Sequence, residues 1–211
     1  KLLLEATGTP YDVVLHFDTV AWKPRAPFGQ LPTYRGEELG GEVLCESRAI
    51  CHHVARLTGL AGKTMVQHAR VDQLFELAED IDGKKSGLFD SAHSDAPRLR
   101  MFLSAAEKFA PEIGSLYFVG EMLTLADVAM FRVLYKFVEL LPNCLAPYPK
   151  LNTFVEAFAK KPTVAGYLAS ERRLPHCCNE VGDRPYERTA AGFKYTKPLN
   201  PMVCKELWSG E

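Results

Sequence analysis

The chain has 211 residues, of which 47% are hydrophobic and 24% charged, with a formal net charge of −1. That is the composition of a globular protein able to bury a sizeable core as one domain or two, and its near-neutral charge leaves no footprint for nucleic acid or an anionic membrane. No apolar run approaches the roughly 20 residues that cross a bilayer, and residues 1–6 are too short for a signal-peptide core and lack a cleavage site, so a cytoplasmic protein is expected.

In chain order, Leu2, Leu3, Leu4 and Ala6 form a short apolar helix stopped by Gly8, with Pro10 just beyond. Residues 11–17, rich in branched and aromatic side chains, read as a strand; residues 21–27, with Pro24 and Pro27, read as a loop. Thr33 and Tyr34, the polar run Arg35-Gly36-Glu37-Glu38 and residues 39–44 read as a hairpin of strand, turn and strand. Residues 46–57 follow with Ile50, Val54 and Leu57 at helical spacing, closed by Gly59.

From residue 63 to 173 the periodicity is helical. Met65, Ala69, Asp72 and Glu76 share one face of a helix reaching Ile81; residues 83–95 are a polar break and residues 98–109 a further helix. Thr124-Leu125-Ala126-Asp127 is a loose capping box, with aspartate in the reciprocal position, opening an apolar helix from Val128 to Leu141. Pro149 and Pro162 set off shorter helices near residues 151–160 and 163–172. Beyond residue 174, Pro175, Pro185, Pro198 and Pro201 interrupt any periodicity. A non-periodic segment holds one conformation only where contacts repay its ordering entropy, so residues 175–211 are expected to pack on the body or on a partner.

Six cysteines do not amount to a disulfide framework. Cys45, Cys51 and Cys144 fall in apolar-patterned segments, where a free cysteine behaves as a small hydrophobe, and Cys177, Cys178 and Cys204 lie in the tail. His176-Cys177-Cys178 and Cys51-His52-His53 carry metal-ligating residue types. Neither has a second half at zinc spacing, so no metal is expected.

Pro27-Phe28-Gly29-Gln30-Leu31-Pro32, followed some way on by Glu46-Ser47-Arg48-Ala49-Ile50 at a helix start, resembles the signature of mu, pi and sigma glutathione transferases. Tyr117-Phe118-Val119-Gly120-Glu121 ahead of the capping box resembles that family's N-capped central helix. The run from Cys144 to Leu151, and Gly166-Tyr167-Leu168, resemble its closing helices. The resemblance spans residues 1–175 and implies an α/β thioredoxin-like domain over residues 1–60 and an all-α helical bundle over 63–174. It further implies a cytoplasmic homodimer that conjugates the thiolate of glutathione to small apolar electrophiles. A non-catalytic scaffold or interaction subunit of a larger assembly is the alternative, favoured by the long tail and by Glu46.

Glutathione is a flexible anionic tripeptide, so its site needs a backbone edge, a carboxylate clamp and a thiol activator. Pro32 in a tight turn before a strand suits a cis bond that exposes the N–H and carbonyl of Leu31; alone, it also reads as the start of an edge strand. With Gln30 beside it, the resemblance pairs that edge with the cysteinyl backbone. Ser47 at a helix start makes an anion site, where the resemblance puts the γ-glutamyl carboxylate; the same hydroxyl can also cap the helix. Glu46 departs from the usual glutamine: it would repel the ligand's carboxylate yet attract its ammonium group.

Lys23 aligns with the lysine that pairs with the glycyl carboxylate, and Trp22 stands beside it in place of a tryptophan usually further upstream. Phe28 takes the position of an aromatic key inserted into a partner subunit. Glu76 falls where an acidic residue reaches the partner's glutathione, and Arg70 and Asp72 add cross-subunit pairs, each worth little if exposed. Leu88, Phe89 and Met101 offer apolar surface to the electrophile.

The thiol activator, by the resemblance, sits on a first strand that would precede Lys1, and the chain is read as N-terminally incomplete. A thiol of pKa about 8.5 is only about 3% thiolate at pH 7, so that donor governs turnover more than binding.

Overall fold

The computed structural model describes residues 1–14, 21, 23–83, 96–112, 114–141, 143–173, 186–189 and 192–195. Helix α1 (Leu2–Thr7) ends at Gly8, whose φ of 68° lets Gly8 and Thr9 donate back to the carbonyls of Glu5 and Leu4. The strand expected over residues 11–17 does not form in its described part: residues 11–14 have no regular structure and Val13 and Val14 are exposed. Strand propensity is realised only where a neighbour supplies a ladder. Tyr11 instead turns back and donates to Glu5 Oε1 at 2.6 Å. Residues 15–17 lie outside the described residues.

Strands β1 (Thr33–Tyr34) and β2 (Leu44–Cys45) pair antiparallel, with Thr33 opposite Cys45 and Tyr34 opposite Leu44. The expected hairpin forms, but its second strand is shorter than residues 39–44. Glu37–Leu39 winds into a 3-10 turn, and Gly40 and Gly41, at φ 60° and 96°, reverse the chain first. Helix α2 (Ser47–Leu57) buries Val54 and Ala55, while Leu57, which the spacing assigned to the core face, is 53% exposed.

Helix α3 (Met65–Gly83) buries Val71, Leu74, Phe75, Ala78 and Ile81, leaving Met65, Ala69, Asp72 and Glu76 on its exposed face. Helices α4 (Ala96–Phe109), α6 (Pro149–Ala159) and α7 (Pro162–Ala169) complete the shell around α5 (Leu125–Leu140). Prolines open α6 and α7 in their first turns, where a missing N–H costs nothing. The polar break over residues 84–95 lies outside the described residues. Leu3 of α1 and Val54 of α2 belong to the same buried cluster as the core of α3 to α7, so both halves share one core. Among the described residues no helix is long and apolar enough to cross a membrane.

The tail contains an antiparallel hairpin, β3 (Tyr186–Thr189) with β4 (Gly192–Tyr195), where composition suggested no periodic structure. Its packing on the body or a partner lies outside the described residues, as do Cys177, Cys178 and Cys204. Cys45 and Cys144 are buried free thiols and Cys51 is half-buried; burial pushes the Cys144 thiol up to about 12.

The start of α5 carries the one fully buried carboxylate of the described core. Asp127 Oδ2 accepts from Thr124 N at 2.6 Å and Thr124 Oγ1 at 2.9 Å, and its Oδ1 accepts from Phe118 N at 2.6 Å. Burial pushes Asp127 up to about 6 despite these bonds, which favour the charged form. A carboxyl raised on folding contributes stability that is fully present below its ordinary value of 3.8 and lost as pH rises through about 6. Denaturant unfolding of the protein and of Asp127→Asn should show wild type losing ground to the variant between pH 4 and pH 7, by on the order of 3 kcal/mol. A pH-independent difference would refute this account.

Candidate functional site

Two backbone features meet at one end of the β1–β2 ladder. On one side, Ala26 N donates to Lys23 O and Gly29 N to Ala26 O, both at 3.0 Å, and Gly29 at φ 64° turns the chain into Gln30. The Leu31–Pro32 peptide that follows is cis, as the sequence reading expected. On the other side, β2 runs through Glu46 into α2. Because Thr33 lies opposite Cys45, the register brings Pro32 and Glu46 to the same end of the hairpin.

Glu46 adopts φ 68° and ψ 111°, a region that side-chain-bearing residues rarely enter. It acts as the N-cap of α2 through its backbone alone, since its side chain makes no capping bond. Ser47 is therefore the first helical residue and not the cap. Its exposed hydroxyl bonds no described residue, and the first intrahelical bond is Ile50 N to Glu46 O at 2.9 Å. The N–H groups of Ser47, Arg48 and Ala49 precede that bond and point along the helix axis towards solvent, where a helix start attracts an anion. Gln30, Pro32, Glu46 and Ser47 are all exposed, so the cradle is open.

Lys23 is exposed in the 3-10 turn Lys23–Arg25, and Trp22 lies outside the described residues. Neither nearby tyrosine is placed as a thiol activator. Burial and the Glu5 carboxylate raise Tyr11 above the ordinary phenol range, and burial with Glu38, which accepts from Tyr34 at 3.0 Å, raises Tyr34. Both hydroxyls are committed to carboxylates. The consecutive histidines diverge onto different elements: His52 Nδ1 lies 3.2 Å from Asp72 on α3, and His53 Nε2 lies 2.8 Å from Glu38.

The residues assigned to assembly are on the surface, and the charged ones have partners within the chain. Phe28 is 71% exposed. Arg70 donates to Gln73 Oε1 at 2.7 Å, Asp72 faces His52, and Glu76 pairs with Arg48. Sequence reading missed an apolar groove of about 330 Å³ between α3 and α4, lined by Leu74, Leu77, Met101, Phe102 and Phe109. It was hidden because its walls come from helices far apart in the chain. Of the apolar residues assigned to an electrophile, Met101 lines this groove, and Leu88 and Phe89 lie outside the described residues.

A cis-proline turn abutting a helix start without a side-chain cap, on an α/β unit that shares its core with a helical bundle, defines a class: two-domain proteins with a thioredoxin-like first half. Comparison with known proteins narrows it. The description "Glutathione S-transferase, N-terminal domain" matches residues 1–56, and "Glutathione S-transferase, C-terminal domain" matches residues 73–171. Glutathione S-transferase 1 of Ascaris suum is 31% identical over 172 residues, covering 75% of this chain and 82% of that protein. Glutathione S-transferase P of Caenorhabditis elegans is 31% identical over 154 residues, 69% and 73% of the two chains. The crystal structure of the glutathione S-transferase from Ascaris lumbricoides superposes with a TM-score of 0.71 at 29% identity, over 83% of this chain and 91% of that one. The chain belongs to the glutathione S-transferase family.

The backbone of Glu46 offers a direct check on the cradle. Glycine accepts φ 68° without steric cost, so Glu46→Gly is expected to raise the unfolding free energy by about 1 kcal/mol, and Glu46→Val to lower it by a similar amount. Equal stabilities for the two variants in chemical denaturation would show that position 46 is unstrained.

Proposed function

We propose that the protein binds glutathione in the cradle formed by Leu31, Pro32 and Ser47 and conjugates its thiolate to a small apolar electrophile. The observation that carries this reading is the cis Leu31–Pro32 bond beside the start of α2, which has no side-chain cap. A cis turn at the end of a strand presents the Leu31 N–H and carbonyl as a short edge, suited to pair with the cysteinyl backbone, with Gln30 alongside. Ser47 Oγ and the first N–H groups of α2 take the γ-glutamyl carboxylate by charge-assisted hydrogen bonds. Glu46 then serves the neighbouring ammonium group, an acceptor placed beside an anion site to match a zwitterionic ligand. Lys23, with Trp22, takes the glycyl carboxylate.

The Tyr11 and Tyr34 hydroxyls are committed to Glu5 and Glu38, and neither is assigned the activation of the thiol. The finer class is mu, pi or sigma, supported by the run from Pro27 to Pro32. The domains are residues 1–60 and 63–174, and the protein is a cytoplasmic homodimer. Support for assembly comes from Phe28, an exposed aromatic knob, and from the apolar groove between α3 and α4, which has room for an aromatic side chain. Arg70 is exposed on the same helix, and Asp72 and Glu76 lie on the side of α3 that faces α2.

Retention on immobilised glutathione tests the cradle. Ser47→Ala should weaken binding on the order of tenfold, the loss of one hydrogen bond to a charged group; unchanged retention would remove Ser47 from the site. Conjugation of glutathione to a chloroaromatic compound, followed with the natural full-length protein, tests the chemistry, and binding without turnover would favour a non-catalytic role. Phe28→Ser should shift the protein towards monomer in sedimentation, and a wild type that sediments as a monomer would overturn the assembly reading.

A further inference from the structure

A series of alternating charges runs inward from the cradle across three helices. Arg48, the residue after Ser47, places Nη1 on Glu76 and Nε 3.8 Å from Glu79 Oε2, both on α3. Glu79 also accepts from Nη2 of Arg132 on α5, whose Nη1 reaches Asp82 Oδ2 at 3.1 Å. Asp82 in turn accepts from the buried Lys136. Side-chain exposure falls along the series, from 53% at Arg48 through 35% at Arg132 to 5% at Lys136. The outer rung is screened by water and the inner rungs are held in the core.

The geometry points to Arg132 as a positioning residue for the glutathione cradle, acting through Glu79 and Arg48 on the first turn of α2. This rests on the glutathione reading above. A guanidinium fork fits two carboxylates at once, and Arg132 uses it to hold Glu79 and Asp82, which are 20% and 14% exposed. Without Arg132, two half-buried carboxylates lose their shared counter-charge, a costly loss at such depth. Asp82 keeps Lys136, whereas the remaining cation described at Glu79 is Arg48. Arg48 is then drawn off Glu76 towards the interior, and the adjoining backbone of Ser47 moves with it. Displacements well under 1 Å at a binding group are enough to weaken a charge-assisted contact.

Arg48 and Arg132 both contact the Glu79 carboxylate, so a double-mutant cycle measures the coupling between them, and Glu79→Gln reports how much of it passes through that carboxylate. Glutathione affinity would be measured by calorimetry for the wild-type full chain, Arg48→Met, Arg132→Met and the double variant. Arg132→Met is expected to weaken binding about threefold to tenfold and to add nothing in the Arg48→Met background, with Arg132→Lys recovering part of the loss. In nitrogen–proton correlation spectra the Ser47 amide should move in Arg132→Met with no ligand present. Additive effects on affinity, or an unmoved Ser47 amide, would overturn the proposal and leave Arg132 a residue of stability alone. A wild type that does not bind glutathione sinks the functional reading instead, and the Ser47 amide then decides the relay. Should Arg132→Met fail to fold, Glu79→Gln cuts the same link with little change of shape and is read the same way.

Discussion

A helix with buried apolar side chains on every face must be surrounded by protein, and α5 imposes that condition on the rest of the molecule. Leu125, Val128, Met130, Phe131, Val133, Leu134 and Phe137 are each buried, on every face of the helix. Beginning such a helix inside the core exposes N–H groups to a medium with no water. Asp127 resolves this by accepting from Phe118 and Thr124, and Leu125 N finds Leu60 O at 2.9 Å. That last bond is where the segment after α2 is tied to the helical half. Because α5 is fixed, α3 is fixed beside it, and α2 takes its place against both.

The candidate site depends on backbone placement more than on side chains. A ladder of two residue pairs sets Pro32 next to Glu46, and no side-chain contact is needed for the cis turn and the helix start to share one opening. Such a ladder is too short to be stable alone. Its position is held from behind, by Cys45 in the core and by α2 lying on α3 and α5. The charge series from Arg48 to Lys136 is a second support of the same region. Glu107 shows the device elsewhere: from α4 it accepts Lys150 N and Leu151 N, at 2.9 and 3.0 Å, at the start of α6.

What the sequence determined by itself was local. Gly8, Pro149 and Pro162 mark helix limits because their backbone chemistry permits little else, the Thr124–Asp127 pair announces its helix, and Leu31-Pro32 announces a tight turn. Ser47 could be placed at a helix start for the same reason, although only the folded structure makes Glu46 the cap, by a backbone conformation that no side-chain preference predicts. Tertiary structure decided the rest. Tyr11, Val13 and Val14 have strand-forming side chains and no described neighbour to pair with; Leu57 has the right spacing and faces solvent. Glu76, which the resemblance assigned to a partner's glutathione, is met within the chain by Arg48, from a separate helix. Helix ends and turns are settled by contacts within a few residues, whereas ladders, grooves and ion pairs depend on which segments the buried core of α5 brings side by side.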